Sequence, residues 1–333
     1  MTSSTPQPDL AIGIDIGGTK VAGGAVAPDG SVLARARRDT PHRSMSPDVV
    51  EDTIVAVVEE LFDLVGRERV VAVGIGAAGF VAADRKTVVF APHLSWRHEP
   101  LEDNLNRRVH VPITVDNDAN AAAWAEWKFG AAQGESHLMI VNLGTGIGGG
   151  IVIDGRVQRG RHGIAGEFGH MQVVPNGLRC ECGNRGCWEQ YASGNALVRE
   201  ARGLIAARSP VVNDLLASVG GDGNALTGPL ITAAAQAGDP TAIELLADIG
   251  HWLGVGIANL AAAFDPGTFV IGGGVSAAGP LLLDPARDTF RRQLTGRGYR
   301  PEARIVVAQL GNEAGLIGAA DLSRLDAAGD ELP

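Results

Sequence analysis

Near its N-terminus the chain reads Leu10-Ala11-Ile12-Gly13-Ile14-Asp15-Ile16-Gly17-Gly18-Thr19-Lys20. Residues 10–16 have the length and composition of a buried strand, and a second strand follows the turn. Glycines let backbone N–H groups approach phosphates, Thr19 adds a hydroxyl, and Asp15 can hold a hydrated Mg²⁺. The stretch is neither a Walker A loop nor a Gly-x-Gly-x-x-Gly turn before a helix. An ordinary hairpin with a solvated aspartate explains this segment alone equally well.

The order of predicted elements around this stretch occurs twice in the chain. Strands at 10–16, 21–26 and 31–38, a helix at 48–66 and a strand at 70–75 give a β-β-β-α-β order. The order restarts at residue 138 with a strand, a glycine-rich turn and the hairpin turn Asp154-Gly155. Similar turns arise by chance in β-rich chains. A repeat this long is unlike a solenoid and predicts a duplicated α/β domain with a ligand between the copies.

Two further glycine clusters follow predicted strands. The segment 144–150 contains five glycines in seven residues and includes Gly144-Thr145-Gly146. A backbone lying against phosphate explains so many glycines better than a hairpin does. The third cluster, Gly272-Gly273-Gly274, follows the strand predicted at 268–271 and can pack against a flat base.

Three polar residues, Asp116-Asn117-Asp118, end the strand predicted at 113–115 and precede a helix at 119–129. One acid at this position is explained by helix N-capping alone. Three consecutive polar residues exceed what a cap requires, and the carboxyl ends of strands are where α/β sheets bind ligands. Asp118 can act as a general base towards a hydroxyl, with Asn117 orienting the same substrate.

The three cysteines of the chain, Cys180, Cys182 and Cys187, fall within eight positions. Together with His170 they form a complete tetrahedral ligand set for structural zinc. An odd number of cysteines without a secretion signal does not suit disulfides, and three unligated buried thiols remain the other alternative. His162 also lies nearby, but the context Glu-x-Gly-His favours His170.

Glu167 and Glu189 flank these ligands, so the same ion can position both. With His170 they supply acceptors and a donor suited to sugar hydroxyls.

Composition excludes several classes of function. The 333-residue chain has a net charge of −10, which argues against a general nucleic-acid or anionic-membrane surface. Residues 1–8 resemble neither a signal nor a transit peptide. The longest apolar runs read as too short to span a bilayer. We therefore expect a cytoplasmic protein without nucleic-acid or membrane partners. Later segments predict helices at 195–207 and 229–263, a last strand at 305–308 and a closing helix at 313–325.

Taken together, these segments resemble the ROK (repressor, open reading frame, kinase) family of sugar kinases over about residues 10–325. The most specific match is Cys-x-Cys-Gly-x-x-Gly-Cys-x-Glu at 180–189. Glu-x-Gly-His at 167–170, Asp-x-Gly-Gly-Thr at 15–19 and Asn-Asp-Ala-Asn-Ala at 117–121 match as well. The resemblance implies two duplicated actin-like (ribonuclease-H-like) α/β domains with a cleft between them.

The resemblance also implies domain boundaries and an assembly. A smaller N-terminal domain would span residues 1–118, and a larger domain, with a zinc loop at 167–189, would span 119–312. The closing helix at about 313–325 would pack back on the first domain. A homodimer or homotetramer is expected.

ATP-dependent phosphorylation of a hexose, usually glucose at O6, with Mg²⁺ is the activity that the resemblance implies. Asp118 would be the base. The residues that would bind the sugar are Asn117, Asp118, Glu167, His170, Glu189 and Gly79. Phosphates, metal and nucleotide would lie at Asp15, Gly17, Gly18, Thr19, Lys20, Gly144, Thr145, Gly146, Gly272, Gly273 and Gly274. His170, Cys180, Cys182 and Cys187 would hold one structural Zn²⁺.

The chain departs from the family pattern at three places. Asp116 replaces a common Glu, Ala78 stands where Pro is frequent, and His93 stands where an Asn often leads. The last two bear on which hexose is preferred.

Four alternatives stay open. A kinase for fructose, N-acetylmannosamine or N-acetylglucosamine fits the same motifs, since acetamido recognition depends on pocket shape. A polyphosphate kinase would be expected to lack the cysteines and to have a more basic groove. A repressor would carry a winged-helix domain before Asp15. A non-catalytic sugar sensor would have no need of Asp118 and two phosphate loops.

Overall fold

The computed structural model describes residues 9–329. Residues 1–8, for which the sequence predicts no targeting peptide, and 330–333 lie outside that range. The strands are β1 (Leu10–Ile16), β2 (Lys20–Val26), β3 (Val32–Asp39), β4 (Val70–Ala77), β5 (Phe80–Val81), β6 (Val88–Phe90), β7 (Arg97–Glu99), β8 (Ile113–Asn117), β9 (His137–Leu143), β10 (Ile147–Ile153), β11 (Arg156–Val157), β12 (Thr268–Gly272) and β13 (Arg304–Val307). The α-helices are α1 (Pro47–Val65), α2 (Leu101–Val109), α3 (Asp118–Lys128), α4 (Glu189–Ala192), α5 (Gly194–Ala206), α6 (Asn213–Ser218), α7 (Gly228–Gln236), α8 (Pro240–Phe264), α9 (Pro280–Gln293) and α10 (Ala314–Ala328).

Two five-stranded sheets have the same strand order. The first is ordered β3-β2-β1-β4-β8, and the second is ordered β11-β10-β9-β12-β13. In the first, β1 pairs antiparallel with β2 and parallel with β4, which pairs parallel with β8. In the second, β12 pairs parallel with both β9 and β13. The matching order confirms the predicted duplication.

The first sheet places the ends of its parallel strands at one edge. The β1 side chains Ile12 and Ile14 are fully buried in one core with residues of α1 such as Val57 and Leu61. Helix α10 crosses β1 and β4 at Gly13 and Gly74, where a Cβ would collide with helix carbonyls. These glycines let the last helix lie directly on the two strands whose ends carry the first turn and Gly79.

The structure differs from the prediction at residues 229–263, where two helices replace one. Gly238 has φ +96, Asp239 caps α8 by accepting from Ala242 N–H, and Pro240 starts the helix. Gly238 thus ends α7, and Asp239 and Pro240 begin α8, so the chain turns between the two helices. A short sheet, β5-β6-β7, was also not predicted, since its strands are only two or three residues long.

Contacts divide the chain into two units. Among the described residues, the first comprises 9–136, 150–166 and 309–329, and the second comprises 137–149 and 167–308. The division falls after Ser136 rather than after Asp118, because α3 packs against α10 within the first unit. Trp124 Nε1 on α3 donates to Asp321 Oδ2 on α10 at 2.8 Å.

Helix α8 is apolar and long enough to cross a membrane by length and composition, and 61% of its most apolar window is buried inside the protein. The prediction that the longest apolar runs are too short to span a bilayer is therefore wrong for this helix. The core helix of a folded domain passes the same test, and α8 packs against α9. The expectation of no membrane partner stays a prediction.

Candidate active site and metal centre

The turn between β1 and β2 is closed by a backbone hydrogen bond and is held in place by two hydrogen bonds from Thr40. Gly17 N–H donates to the Lys20 carbonyl at 3.0 Å. Thr40 Oγ1 donates to the Gly17 carbonyl at 2.7 Å, and Thr40 N–H donates to the Thr19 carbonyl at 3.2 Å. Gly18 and Thr19 are exposed. The turn is therefore fixed in shape while its tip stays open to a ligand.

Asp15 lies at the end of β1, half-buried beside this turn. Burial raises the pKa of its carboxyl, and the positive charge of Lys20 partly opposes that rise. A carboxyl in this setting is stabilised as an anion by an added cation. Asp15 is thus suited to the predicted Mg²⁺, whose preferred ligands are oxygens and water.

At the end of β8 the cap of α3 is Asn117, not an aspartate. Asn117 Oδ1 accepts from Ala119 N–H at 2.9 Å and from Asn120 N–H at 3.1 Å. Asn117 Nδ2 donates to the Gly79 carbonyl at 3.1 Å, so two predicted sugar-binding residues lie together. Asp118 is the first residue of α3, and its Oδ1 accepts from Ala119 N–H at 2.9 Å. The helix N-terminus stabilises an ionised Asp118.

The glycine turn of the second unit is held by the start of α5. Gly194 N–H donates to the Gly144 carbonyl at 2.9 Å, and Asn195 N–H donates to the Thr145 carbonyl at 3.4 Å. A Cβ on Gly146 would lie 2.6 Å from Glu189 Oε2. The close approach ties the predicted phosphate turn to a predicted sugar residue.

The third glycine cluster follows β12 and lies against β9. A Cβ on Gly273 would lie 2.5 Å from the Leu143 carbonyl, while one on Gly274 would meet nothing within 4 Å. Gly273 therefore allows close backbone packing, Gly272 makes room for the Asn142 side chain, and Gly274 leaves open space.

His170, Cys180, Cys182 and Cys187 form a metal-ligand cluster. Their ligand atoms all lie within 4.8 Å of one another. Cys180 Sγ is 3.7 Å from His170 Nδ1, and Cys182 Sγ is 3.6 Å from Cys187 Sγ. A tetrahedron of Zn–S bonds of about 2.3 Å has edges of about 3.8 Å, so the four atoms fit Zn²⁺.

All three cysteines are free, and the 3.6 Å between Cys182 Sγ and Cys187 Sγ is far longer than an S–S bond of about 2.05 Å. The cluster includes His170, which the sequence context favours over His162. Burial raises the pKa of the Cys180 thiol, and a hydrogen bond to Glu189 raises it further. A cation is therefore needed to hold this sulfur as a thiolate.

The backbone of this loop is arranged by two glycines and one tryptophan. Gly183 and Gly186 have φ of +96 and +77, the left-handed conformation that glycine adopts most easily. Trp188 is fully buried and donates from Nε1 to the Trp252 carbonyl on α8 at 2.7 Å. The buried indole anchors the loop immediately before Glu189.

The two ring nitrogens of His170 face different groups. Nδ1 lies beside Cys180 and 3.5 Å from Glu189 Oε1, whereas Nε2 lies 3.9 Å from Glu167 Oε2. Burial raises the pKa of Glu167, His170 lowers it and Glu189 raises it. Glu167, His170 and Glu189 thus form one polar group beside the metal-ligand cluster.

Comparisons with known proteins show the family of this chain. The model of the ROK family matches residues 11–325. The chain belongs to the ROK family. It is 48% identical over 315 residues to the glucokinase of Streptomyces coelicolor, covering 95% of this chain and 98% of that protein.

Two solved structures of the ROK family are also similar. One is the ROK family glucokinase from Streptomyces griseus in complex with glucose and AMPPNP. It is 50% identical with a TM-score of 0.86 and covers 95% of this chain and 99% of that one. The ROK hexokinase from Thermus thermophilus is 34% identical with a TM-score of 0.79, covering 96% and 99%. The fold predicted from the resemblance is confirmed.

The structure groups the predicted site residues into two sets, one in each unit. In the first unit are Asp15, Gly17, Gly18, Thr19, Lys20, Gly79, Asn117 and Asp118. In the second are Gly144, Thr145, Gly146, Glu167, His170, Cys180, Cys182, Cys187, Glu189, Gly272, Gly273 and Gly274.

Sequence reasoning missed three residues that contact either Asp15 or Asp116, the residue directly before Asn117. Arg85 and Arg159 pair with Asp116, and Gly315 lies against Asp15. An isolated arginine or helix glycine carries no local pattern, so no sequence signal singled them out.

Proposed function

We propose that this chain is an ATP-dependent glucokinase that phosphorylates the 6-hydroxyl of glucose. The observation that carries the proposal is the 50% identity, over 95% of the chain, to a glucokinase solved with glucose and AMPPNP. The open glycine turns beside Asp15 and before α5 support a nucleotide phosphate donor. The polar residues Asp118, Glu167 and Glu189 support a polyhydroxylated acceptor.

Asp118 is proposed as the general base. Its carboxylate sits at a helix start, where it is held ionised, and it accepts from Ala119 N–H. It takes the proton from the 6-hydroxyl as the oxygen attacks the γ-phosphorus and the bond to the leaving ADP oxygen breaks. Since phosphoryl transfer demands little covalent chemistry from the protein, positioning supplies most of the catalysis.

Asn117, Gly79, Glu167, His170 and Glu189 are proposed to bind the sugar. Asp15 is the protein group suited to hydrated Mg²⁺, which would neutralise charge on the phosphates. His170, Cys180, Cys182 and Cys187 would hold zinc, and the metal would fix the tautomer of His170 and leave its other ring nitrogen for the substrate.

The test of the base is Asp118→Asn. The amide cannot accept the proton, so kcat should fall by about 10²- to 10⁴-fold. Glucose affinity, measured by tryptophan fluorescence titration, should change little. The matched control is Asp103→Asn, an exposed acid in the first turn of α2. A kcat near the wild-type value in Asp118→Asn would remove Asp118 from this role.

The substrate is tested with a panel of acceptors and donors. Glucose, fructose, N-acetylmannosamine and N-acetylglucosamine are assayed with ATP and with polyphosphate. The highest kcat/KM with glucose and ATP is expected. A preference for another hexose would correct the acceptor, and binding without turnover would indicate a sugar sensor.

Assembly and location complete the proposal. We expect a homodimer or homotetramer in the cytoplasm, without nucleic-acid or membrane partners. Analytical ultracentrifugation with and without glucose tests the assembly.

A further inference from the structure

Asp116 uses its two carboxylate oxygens in two different directions. Oδ1 accepts from Asn117 N–H at 2.9 Å and from Asn120 Nδ2 at 3.2 Å, both at the junction of β8 and α3. Oδ2 accepts from Arg159 Nε at 2.8 Å, with Nη2 of the same guanidinium also at 2.8 Å. One buried carboxylate, 3% exposed, therefore connects the junction to Arg159.

Arg159 belongs to a segment that is remote in sequence. It follows β11, and its carbonyl accepts from Ala165 N–H at 3.0 Å, which closes a loop over residues 160–165. Within this loop, Gly163 lies against the backbone of Val81 and Ala82 so closely that no side chain would fit. The position of Arg159 is thus set by its own backbone contacts, independently of Asp116.

Arg85 completes the charge balance. Its Nε lies 3.4 Å from Asp116 Oδ2, and its Nη1 donates to Asp326 at 3.0 Å. The Arg85 carbonyl also accepts from Val115 N–H at 3.1 Å. Two arginines and two aspartates thus form a neutral group around the end of β8. Removing one partner from such a group leaves an uncompensated buried charge, which is costly.

We propose that Asp116 and Arg159 form a positioning pair for the proposed catalytic base. Asp116 fixes the backbone N–H of Asn117, the residue directly before Asp118, while Arg159 fixes Asp116. Neither residue is proposed to touch the substrate. The expected effect on kcat rests on the proposed function. The contacts of Asp116 and Arg159 do not, because they exist in the protein without ligands.

Asp116→Asn tests the pair directly. An amide offers one acceptor oxygen, so it can satisfy either the β8–α3 junction or Arg159, but not both. Faster amide hydrogen exchange is expected at residues 116–121 in the ligand-free protein. A loss of kcat of about 10- to 100-fold is expected from misplacement of the base. The KM for glucose should change much less than kcat.

Three further variants separate positioning from general destabilisation. Asp116→Glu restores two acceptor oxygens and should recover most of the activity. The double variant Asp116→Asn/Arg159→Gln should be little worse than either single change, since both remove the same interaction. The control is Asp321→Asn. Asp321 is 1% exposed and accepts from Lys128 Nζ and Arg324 Nη1, both at 2.7 Å. This change should lower Tm while kcat stays near wild type.

The outcomes are separable. Unchanged exchange at 116–121 in Asp116→Asn overturns the positioning pair, whatever the activity. Equal losses of kcat in Asp116→Asn and Asp321→Asn, or additive effects of the Asp116 and Arg159 changes, also overturn it. If the wild-type protein phosphorylates no hexose, the proposed function fails, and the exchange measurement still decides whether Asp116 and Arg159 hold the junction.

Discussion

At the residue scale, the amide of Asn104 donates hydrogen bonds to two neighbouring glutamates. Asn104 Nδ2 lies 2.8 Å from both Glu51 Oε1 and Glu99 Oε1. Glu51 is 4% exposed. Burial raises the pKa of Glu99, and the nearby charge of Glu51 raises it further. One amide thus has to serve two acids that repel each other when both are ionised.

This pair predicts a dependence of stability on pH. A carboxyl whose pKa is raised by folding binds more protons in the folded state, so stability falls as pH rises from the usual value of 4.5 through the raised one. Glu99→Gln removes the repulsion. The variant should have a higher Tm than wild type at pH 7 and no advantage at pH 4, as measured by calorimetry.

Asp103→Asn serves again as the exposed control and should raise Tm at neither pH, because it removes a favourable charge from the first turn of α2. Equal Tm values for Glu99→Gln and wild type at pH 7 would contradict the prediction.

At the element scale, helix α10 sets the position of β1, the strand that carries Asp15. It lies directly on β1 and β4 through Gly13 and Gly74, and Gly318 packs it equally closely on Ala121 of α3. Where the helix begins, a Cβ on Gly315 would lie 3.1 Å from Asp15 Oδ1. The first turn of α10 therefore packs directly against the Asp15 carboxylate.

Gly315→Ala should separate activity from stability. Alanine in a helix is favoured over glycine by up to about 1 kcal/mol, so Tm should not fall. The added methyl displaces Asp15, so kcat should fall by about 10-fold and the Mg²⁺ requirement should rise. Steady-state kinetics at varied Mg²⁺ measures both.

The control is Gly203→Ala in α5, where a Cβ would meet nothing within 4 Å. It should bring the stability gain without the loss of activity. Wild-type kinetics in Gly315→Ala would show that Asp15 accommodates the methyl freely.

At the scale of the whole molecule, two sheets of identical strand order carry different chemistry at their strand ends. Both have a glycine turn after the first strand, at 17–19 and at 144–146. The four metal ligands all lie in the second unit. The duplicated frame thus supplies two similar glycine turns, and residues 167–189 supply the metal-ligand cluster.

Metal analysis tests whether the metal-ligand cluster binds zinc. The purified protein should contain about one zinc per chain, as a single four-ligand site implies. Cys182→Ala should lose the zinc and increase hydrogen exchange over residues 167–189. Because Glu167 and Glu189 flank the ligands, the KM for glucose should rise far more than the KM for ATP.

The control is Glu181→Gln, because Glu181 is exposed and lies between two ligands in the sequence. This variant should keep the metal. Active protein without zinc would refute the site. Equal increases of both KM values would mean that the cluster supports folding in general.

The sequence by itself determined the features whose residues lie close together along the chain. The predicted zinc ligands span 170–187, the proposed base follows a predicted strand, and the strand order repeats, so ligand spacing and apolar periodicity are enough to predict them. Only the tertiary structure decided which distant residues hold these groups in place. Asp116 meets Arg159 across 43 residues, and Gly315 meets Asp15 from the last helix. Such contacts depend on how sheets and helices pack, and packing leaves no periodic signal in a local stretch of sequence.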